Sequence, residues 1–89
     1  MSTPLTFESL SHEWSRTDSE GLQRVVRTDS FAVGSVVVAK ISLIAEDVAY
    51  YPEVLLQRER VIITIDDSDE VKAFALAARI DTLLDETTS

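Results

Sequence analysis

The sequence predicts an α+β domain in which a four-stranded antiparallel sheet is covered by helices on one face, in the order α-β-β-α-β-β-α. Three observations lead to this prediction. The chain has 89 residues, of which 45% are apolar, so residues 1–89 fit one folded domain. Two regions alternate apolar and polar residues, as hairpin strands do. Longer segments with a helical period separate them, so the second sheet face stays free for a partner or a ligand.

The N-terminal third predicts a weak helix followed by a β-hairpin. Three apolar residues recur at helical spacing in an otherwise polar segment: Phe7, Leu10 and Trp14. A turn signal at 18–21 then precedes an alternating strand from Leu22 to Thr28, with Arg24 on the face of Leu22. A short strand at 14–17 is the natural partner of this strand.

Residues 30–49 predict the central helix, because apolar residues return every three or four positions. Asp29 or Ser30 is placed to cap this helix, and Pro52 ends it. Its main stripe consists of Val33, Val37, Ile41, Ile44 and Val48. Further apolar residues lie off that stripe: Phe31, Val36, Val38 and Leu43. A helix this broadly apolar suits contact with a sheet and also with neighbours or a partner chain.

The C-terminal third predicts a second hairpin and a final helix. Two apolar runs between 53 and 65 flank a polar turn near 58–60. Ser68 or Asp67 is then placed to cap a helix that continues to about residue 86. The acids of 66–70 are favourable at a helix start, and they lack the glycine and distal glutamate of a calcium loop.

Composition narrows the classes of function. Sixteen acidic and eight basic residues give a net charge of −8, which opposes general attraction to nucleic acid or to anionic membranes. With no cysteine and one histidine, His12, we expect neither a metal site nor thiol chemistry. No cofactor is predicted. The first residues lack a charged segment followed by an apolar one, so we expect a cytoplasmic protein.

Three motifs stand out between Trp14 and Leu84: Ala45-Glu46 followed by Tyr50-Tyr51-Pro52-Glu53, VIITI at 61–65 and LAARID at 76–81. With these motifs the sequence resembles the pterin carbinolamine dehydratases. It implies the α+β topology given above. Enzymes of this family dehydrate a pterin carbinolamine, and members also serve as dimerisation cofactors of a homeodomain transcription factor.

The departures from the family concern its acid–base groups. Two histidines of the active family are matched here by Tyr50 and Tyr51, a third by Ser68, and an aspartate falls near Ala73. Expelling hydroxide from a carbinolamine needs a proton donor and acceptor that work near neutral pH, for which imidazole is suited. Two phenols do not restore such a pair. We therefore predict no catalytic residues and a protein that is not an enzyme.

Among relatives without the histidines, the chain is most similar to the dehydratase-like RuBisCO assembly factors of α-carboxysomes. This likeness implies a homodimeric chaperone in the bacterial cytoplasm, associated with carboxysomes, whose partners are RuBisCO subunits. The degenerate corner Glu46, Tyr50, Tyr51 and Pro52 is the predicted contact. Alternation places some of the strand arginines on the open sheet face, and the further candidates for docking an acidic partner surface are Arg24, Arg58 and Arg60.

Alternative interpretations remain at this point. The tyrosines can simply close the core, and the arginines can pair with Glu53 or Glu59. A divergent dehydratase would use Tyr50 or Tyr51 as proton donor and Glu46 as acceptor. A dimerisation cofactor for a transcription regulator would need no acid–base group at all.

Overall fold

The computed structural model describes Phe7, residues 10–17 and residues 21–88, the last three by their backbone only. Its elements are β1 (Trp14–Thr17), β2 (Gly21–Arg27), α1 (Phe31–Val48), β3 (Glu53–Gln57), β4 (Arg60–Ile65) and α2 (Glu70–Thr88). The strands form one antiparallel sheet in the order β1-β2-β4-β3. The predicted α+β class and both predicted hairpins are confirmed.

The predicted N-terminal helix falls mostly on residues outside this description. From that segment, the Leu10 amide donates to the Phe7 carbonyl at 3.1 Å, and Leu10 is buried. The Trp14 amide donates to the Ser11 carbonyl at 3.2 Å as the chain enters β1. Short contacts of this kind, three residues apart, make tight turns rather than α-helix.

Alternation along the strands divides the sheet into a helix-covered face and an open face. On β2, Leu22 is fully buried while Val25 and Arg27 are exposed. On β4 the fully buried residues are Val61, Ile63 and Ile65. They pack with residues of both helices in a single core. The period of two in the sequence therefore predicts correctly which strand residues face the helices.

Helix α1 begins at a serine cap and ends in a left-handed residue. The Ser30 hydroxyl accepts a hydrogen bond from the Val33 amide at 3.1 Å, so Ser30 is the cap of the two candidates. At the other end Ala49 has φ 61° and ψ 41°. The Tyr50 amide then donates to the Ala45 carbonyl at 3.2 Å, which turns the chain toward Pro52 and β3.

Helix α2 is capped by Asp69, so the prediction of Ser68 or Asp67 is wrong by one or two residues. The Asp69 carboxylate accepts a hydrogen bond from the Lys72 amide at 3.2 Å. Ser68 does not cap the helix because it takes part in the preceding turn, where its amide and its hydroxyl both donate to the Asp66 carboxylate at 3.1 Å. The Asp66–Ser68 turn thus displaces the cap to the next acidic residue.

No helix in the described ranges is long and apolar enough to cross a membrane. Helix α1 still presents apolar side chains to solvent, on its flanks and on the side away from the sheet. These exposed residues are Phe31, Val33, Val36 and Leu43. The broad apolar character predicted for this helix is confirmed, since its opposite side is buried at Val37 and Ile41.

Candidate functional site

The α1–β3 corner separates the two predicted tyrosines. Tyr50 is half-buried and points toward the loop between β4 and α2. Its hydroxyl donates to the Asp66 carbonyl at 2.6 Å and accepts from the Asp69 amide at 3.3 Å. Ser68 Oγ lies 3.4 Å from the same hydroxyl. Tyr50 thus links the end of α1 to the start of α2 by hydrogen bonds. It also lies next to Ser68, so two of the positions that match family histidines are close together.

Tyr51 points the other way and is 62% exposed. Its hydroxyl donates to Glu46 Oε2 at 3.3 Å, across one turn of the helix end. Beside this pair is a cavity of about 220 Å³. It is lined by Ile41, Ser42, Ala45, Glu46, Tyr51, Pro52 and Val54. Three of the four predicted corner residues, Glu46, Tyr51 and Pro52, therefore share one concave surface.

The cavity offers few groups for acid–base chemistry. Its polar side-chain groups are the Glu46 carboxylate, the Tyr51 phenol and the Ser42 hydroxyl. The Ser42 hydroxyl already donates a hydrogen bond to the Val38 carbonyl at 2.9 Å. Ala73, near which the family aspartate falls, is fully buried. In the described part of the chain, no three histidine, cysteine or acidic residues are grouped so as to hold a metal ion.

Arg24 does not lie on the open sheet face, so that part of the arginine prediction is wrong. Its guanidinium turns toward the helices and bonds to Asp81 Oδ1 at 2.5 Å. Only 13% of the Arg24 side chain and 16% of the Asp81 side chain are exposed. Asp81 also accepts the Trp14 indole N–H at 2.6 Å and the Ser11 amide at 2.9 Å. Arg24 is therefore part of an internal polar cluster.

The other strand arginines gather where the β3–β4 hairpin turns. Arg27 and Arg60 are direct partners across β2 and β4, and Arg58 lies in the turn. Glu59 and Gln57 complete the lining of a shallow cavity of about 250 Å³ here. Arg60 Nε donates to Gln57 Oε1. Arg27 is not among the predicted site residues, although its alternation with Leu22 already indicates an outward position.

The tyrosine corner and the arginine turn lie at opposite ends of β3. Tyr51 precedes this strand and Arg58 follows it. With about 3.3 Å per extended residue, the five residues of the strand separate the two by roughly 17 Å or more. β3 is also an edge strand. A partner that contacts both sets of residues must therefore extend along this edge.

Comparison with solved structures defines the class of fold. One match is the crystal structure of a transcriptional coactivator/pterin dehydratase from Brucella melitensis, with a TM-score of 0.70 and 20% identity over 92% of this chain and 87% of that chain. No protein-family model matches the chain, and no curated protein matches it in sequence. The chain has the pterin dehydratase-like fold, and the resemblance inferred from sequence is confirmed at that level.

A second match has a more particular role. It is a pterin dehydratase-like protein identified as a RuBisCO assembly factor in the α-carboxysome. The TM-score is again 0.70, with 24% identity over 81% of this chain and 89% of that chain. At identities this low the two matches establish only the fold of the present protein, and its activity has to be inferred from its own residues.

Proposed function

We propose that this protein is a non-catalytic, dehydratase-like RuBisCO assembly factor that binds RuBisCO subunits through a protein interface and acts in α-carboxysome formation. The observation that carries this proposal is the arrangement of the α1–β3 corner. Tyr50 occupies a family histidine position, but its hydroxyl is bonded to the Asp66 carbonyl and the Asp69 amide. It contributes rigidity there instead of proton transfer.

The groups at the corner support the proposed loss of the dehydratase reaction. A carbinolamine dehydratase must protonate a leaving hydroxide and accept a second proton at comparable pH. Here a phenol and a carboxylate face each other at Tyr51 and Glu46, and the imidazoles of the family are replaced. Tyr51 is the largest side chain that lines the cavity beside it. These features support a binding role for the corner.

Tyr51 is the residue best placed for contact with a partner. It is a large, exposed aromatic side chain that combines apolar area with a hydroxyl, as is common at the centre of protein interfaces. Glu46 holds the ring in one orientation through its hydrogen bond. A ring that is held before binding loses less entropy when the complex forms.

The test is the yield of assembled RuBisCO when its large and small subunits are expressed in a heterologous host with and without this protein. We expect a higher yield with the wild-type protein and a loss of the gain with Tyr51→Ala. Val71→Ala is the control, because Val71 is an exposed apolar residue on α2, away from the α1–β3 corner. No gain with soluble wild-type protein and cognate subunits would contradict the proposal.

A divergent dehydratase is the second candidate, favoured by one observation. The hydroxyl of Tyr51 and the carboxylate of Glu46 form a donor–acceptor pair beside the 220 Å³ cavity. Such a pair would lose activity in both Tyr51→Phe and Glu46→Gln. A dehydration rate with the wild-type protein equal to the rate in buffer alone would eliminate this candidate.

A further inference from the structure

We propose that the open face of the sheet binds an amphipathic helix of the partner, whose apolar stripe is bordered on one side by carboxylates. The proposal rests on the proposed function in taking the partner to be a protein. Two features of the open face carry it. One is an apolar row of three side chains across three strands, and the other is a basic corner beside that row.

The apolar row consists of Val25, Ile62 and Leu55. Val25 is paired with Ile62 across β2 and β4, and Ile62 is paired with Leu55 across β4 and β3. Directly paired residues hold their side chains about 5 Å apart, so the three form one continuous apolar surface. Val25 and Leu55 are exposed. Neither helix of the described chain covers this face.

The basic corner consists of Arg27, Arg58 and Arg60. Of the eight basic residues of the chain, all of which lie in the described ranges, three are held in ion pairs: Arg16, Arg24 and Arg79. Three of the remaining five meet in the basic corner. Glu59 is the carboxylate beside them, and it makes no ion pair there. The corner is therefore a local excess of positive charge on a protein of net charge −8.

The position of the basic corner relative to the apolar row indicates the shape of the ligand. Arg27 follows Val25 by two residues on β2, and Arg60 precedes Ile62 by two residues on the antiparallel strand β4, so both arginines lie at the same end of the row and on the same face. One turn of helix advances about 5.4 Å, close to the 4.8 Å between strands. A helix lying along the row therefore meets each apolar side chain with a successive turn, and its acidic flank meets the arginines.

The charge distribution favours this partner over the other occupants of such a face. A nucleic acid would bring phosphates to the corner but would be repelled by the surrounding acidic surface. A second copy of this chain would bring its own arginines to the same face. An acidic flank on a mainly apolar helix is attracted only at the corner, and this fixes its orientation.

The direct test measures binding of a fluorescent helical peptide of about 18 residues, with leucines on one stripe and glutamates along one border. We expect saturable binding that weakens with added salt. Arg27→Glu combined with Arg60→Glu should weaken it by about tenfold or more. The matched control is Lys40→Glu with Lys72→Glu, which makes the same change of charge on the helices.

Four results would overturn the proposal. The first is equal binding by the two charge-reversed proteins. The second is equal binding of a peptide with lysines in place of the glutamates. The third is saturable binding that perturbs amide NMR signals of α1 and leaves those of β2, β3 and β4 unchanged. A single-stranded oligonucleotide that binds more tightly than the peptide would identify a nucleic-acid face and equally refute the proposal.

The same variants separate this inference from the proposed function. If the wild-type protein raises RuBisCO yield and the Arg27→Glu, Arg60→Glu protein raises it equally, the assembly role stands and this face is not its contact. If the wild-type protein gives no gain but binds the acidic peptide through the basic corner, the assembly role fails and the binding face remains.

Discussion

Asp81 joins three separate parts of the chain through one carboxylate. It accepts hydrogen bonds from the Ser11 amide, the Trp14 indole and the Arg24 guanidinium. These donors come from the entry to the sheet and from its central strand β2, whereas Asp81 belongs to α2. A charge with this little exposure is tolerated because several donors satisfy it together.

Replacing Asp81 by asparagine should destabilise the fold by about 3 kcal/mol, because it leaves the Arg24 charge largely buried without a counter-ion. Urea unfolding measures the change in free energy. The control is Asp47→Asn, since Asp47 and Arg79 form an exposed pair at 2.9 Å whose loss should cost about 0.5 kcal/mol or less. Similar losses of unfolding free energy in the two variants would show that the Asp81 cluster stabilises the fold no more than an exposed ion pair does.

Ala49 occupies a backbone conformation that suits glycine better. Its φ of 61° places it in the left-handed region, where an alanine side chain costs about 1 kcal/mol. Ala49→Gly should therefore raise the free energy of unfolding by up to about 1 kcal/mol. The matched variant Ala39→Gly, at an exposed position inside α1, should lower it by a similar amount. A decrease in both variants would contradict this prediction.

The positions of Arg24 and of the two tyrosines show what local sequence patterns do not predict. Alternation places Arg24 with Leu22, on the face that proves to be buried, yet its charge alone suggested the open face. The deciding fact is Asp81, which lies 57 residues further along the chain. No local pattern reveals such a partner. The two tyrosines diverge for a similar reason, because the loop that binds Tyr50 follows a complete hairpin.

At the level of elements, the turn into β2 depends on Gly21. This residue has φ 93°, and a Cβ added to it would lie 2.2 Å from the Ile65 carbonyl oxygen and 2.9 Å from the Asp67 amide nitrogen. Both contacts are with backbone, so no side-chain movement relieves them. Gly21 thus lets the start of β2 approach the end of β4.

We expect Gly21→Ala to lower the free energy of unfolding by roughly 2 to 4 kcal/mol through strain and lost pairing of β2 with β4. Thermal unfolding followed by circular dichroism measures the effect. Gly34→Ala is a useful comparison, since its nearest contact is the end of the flexible Leu56 side chain at 2.7 Å. A milder loss is expected there. An unchanged melting temperature for Gly21→Ala would contradict the prediction.

The elements themselves are well predicted by the sequence. Both hairpins, the central helix and the final helix occur at the expected places because their apolar periods are long and consistent. The β3–β4 turn was recognisable as a polar interval even without glycine or asparagine. The cap of α2 differs from the prediction because three neighbouring residues are all good caps, and the Asp66–Ser68 turn engages Ser68 and leaves Asp69 as the cap.

At the level of the whole molecule, helix α1 offers a second apolar surface on the side opposite to the open sheet face. Val36 and Leu43 are exposed on it, Leu43 by 72%. A chain of 89 residues buries a limited core, and association is a common way to add to it. We propose that the predicted homodimer forms through this surface, which leaves the open face accessible.

Sedimentation should give a mass of twice 9.9 kDa for the wild-type protein. The Val36→Ser, Leu43→Ser double variant should shift the equilibrium toward monomer by about tenfold or more, because it removes the apolar area that drives association. Val71→Ser is the control, since Val71 is 80% exposed on α2. A monomeric wild-type protein, or a dimer that both variants keep, would contradict this assignment.

The indole of Trp14 gives the molecule a built-in optical signal. It is the one tryptophan in the sequence, it is 4% exposed, and its N–H is bonded to Asp81 on the last helix. Its ultraviolet emission will therefore move to longer wavelength when α2 separates from the sheet. Stopped-flow fluorescence can therefore measure, without an added label, the rate at which α2 packs against the strand that carries Trp14. Binding at the open face, on the other side of the sheet, should leave that emission unchanged.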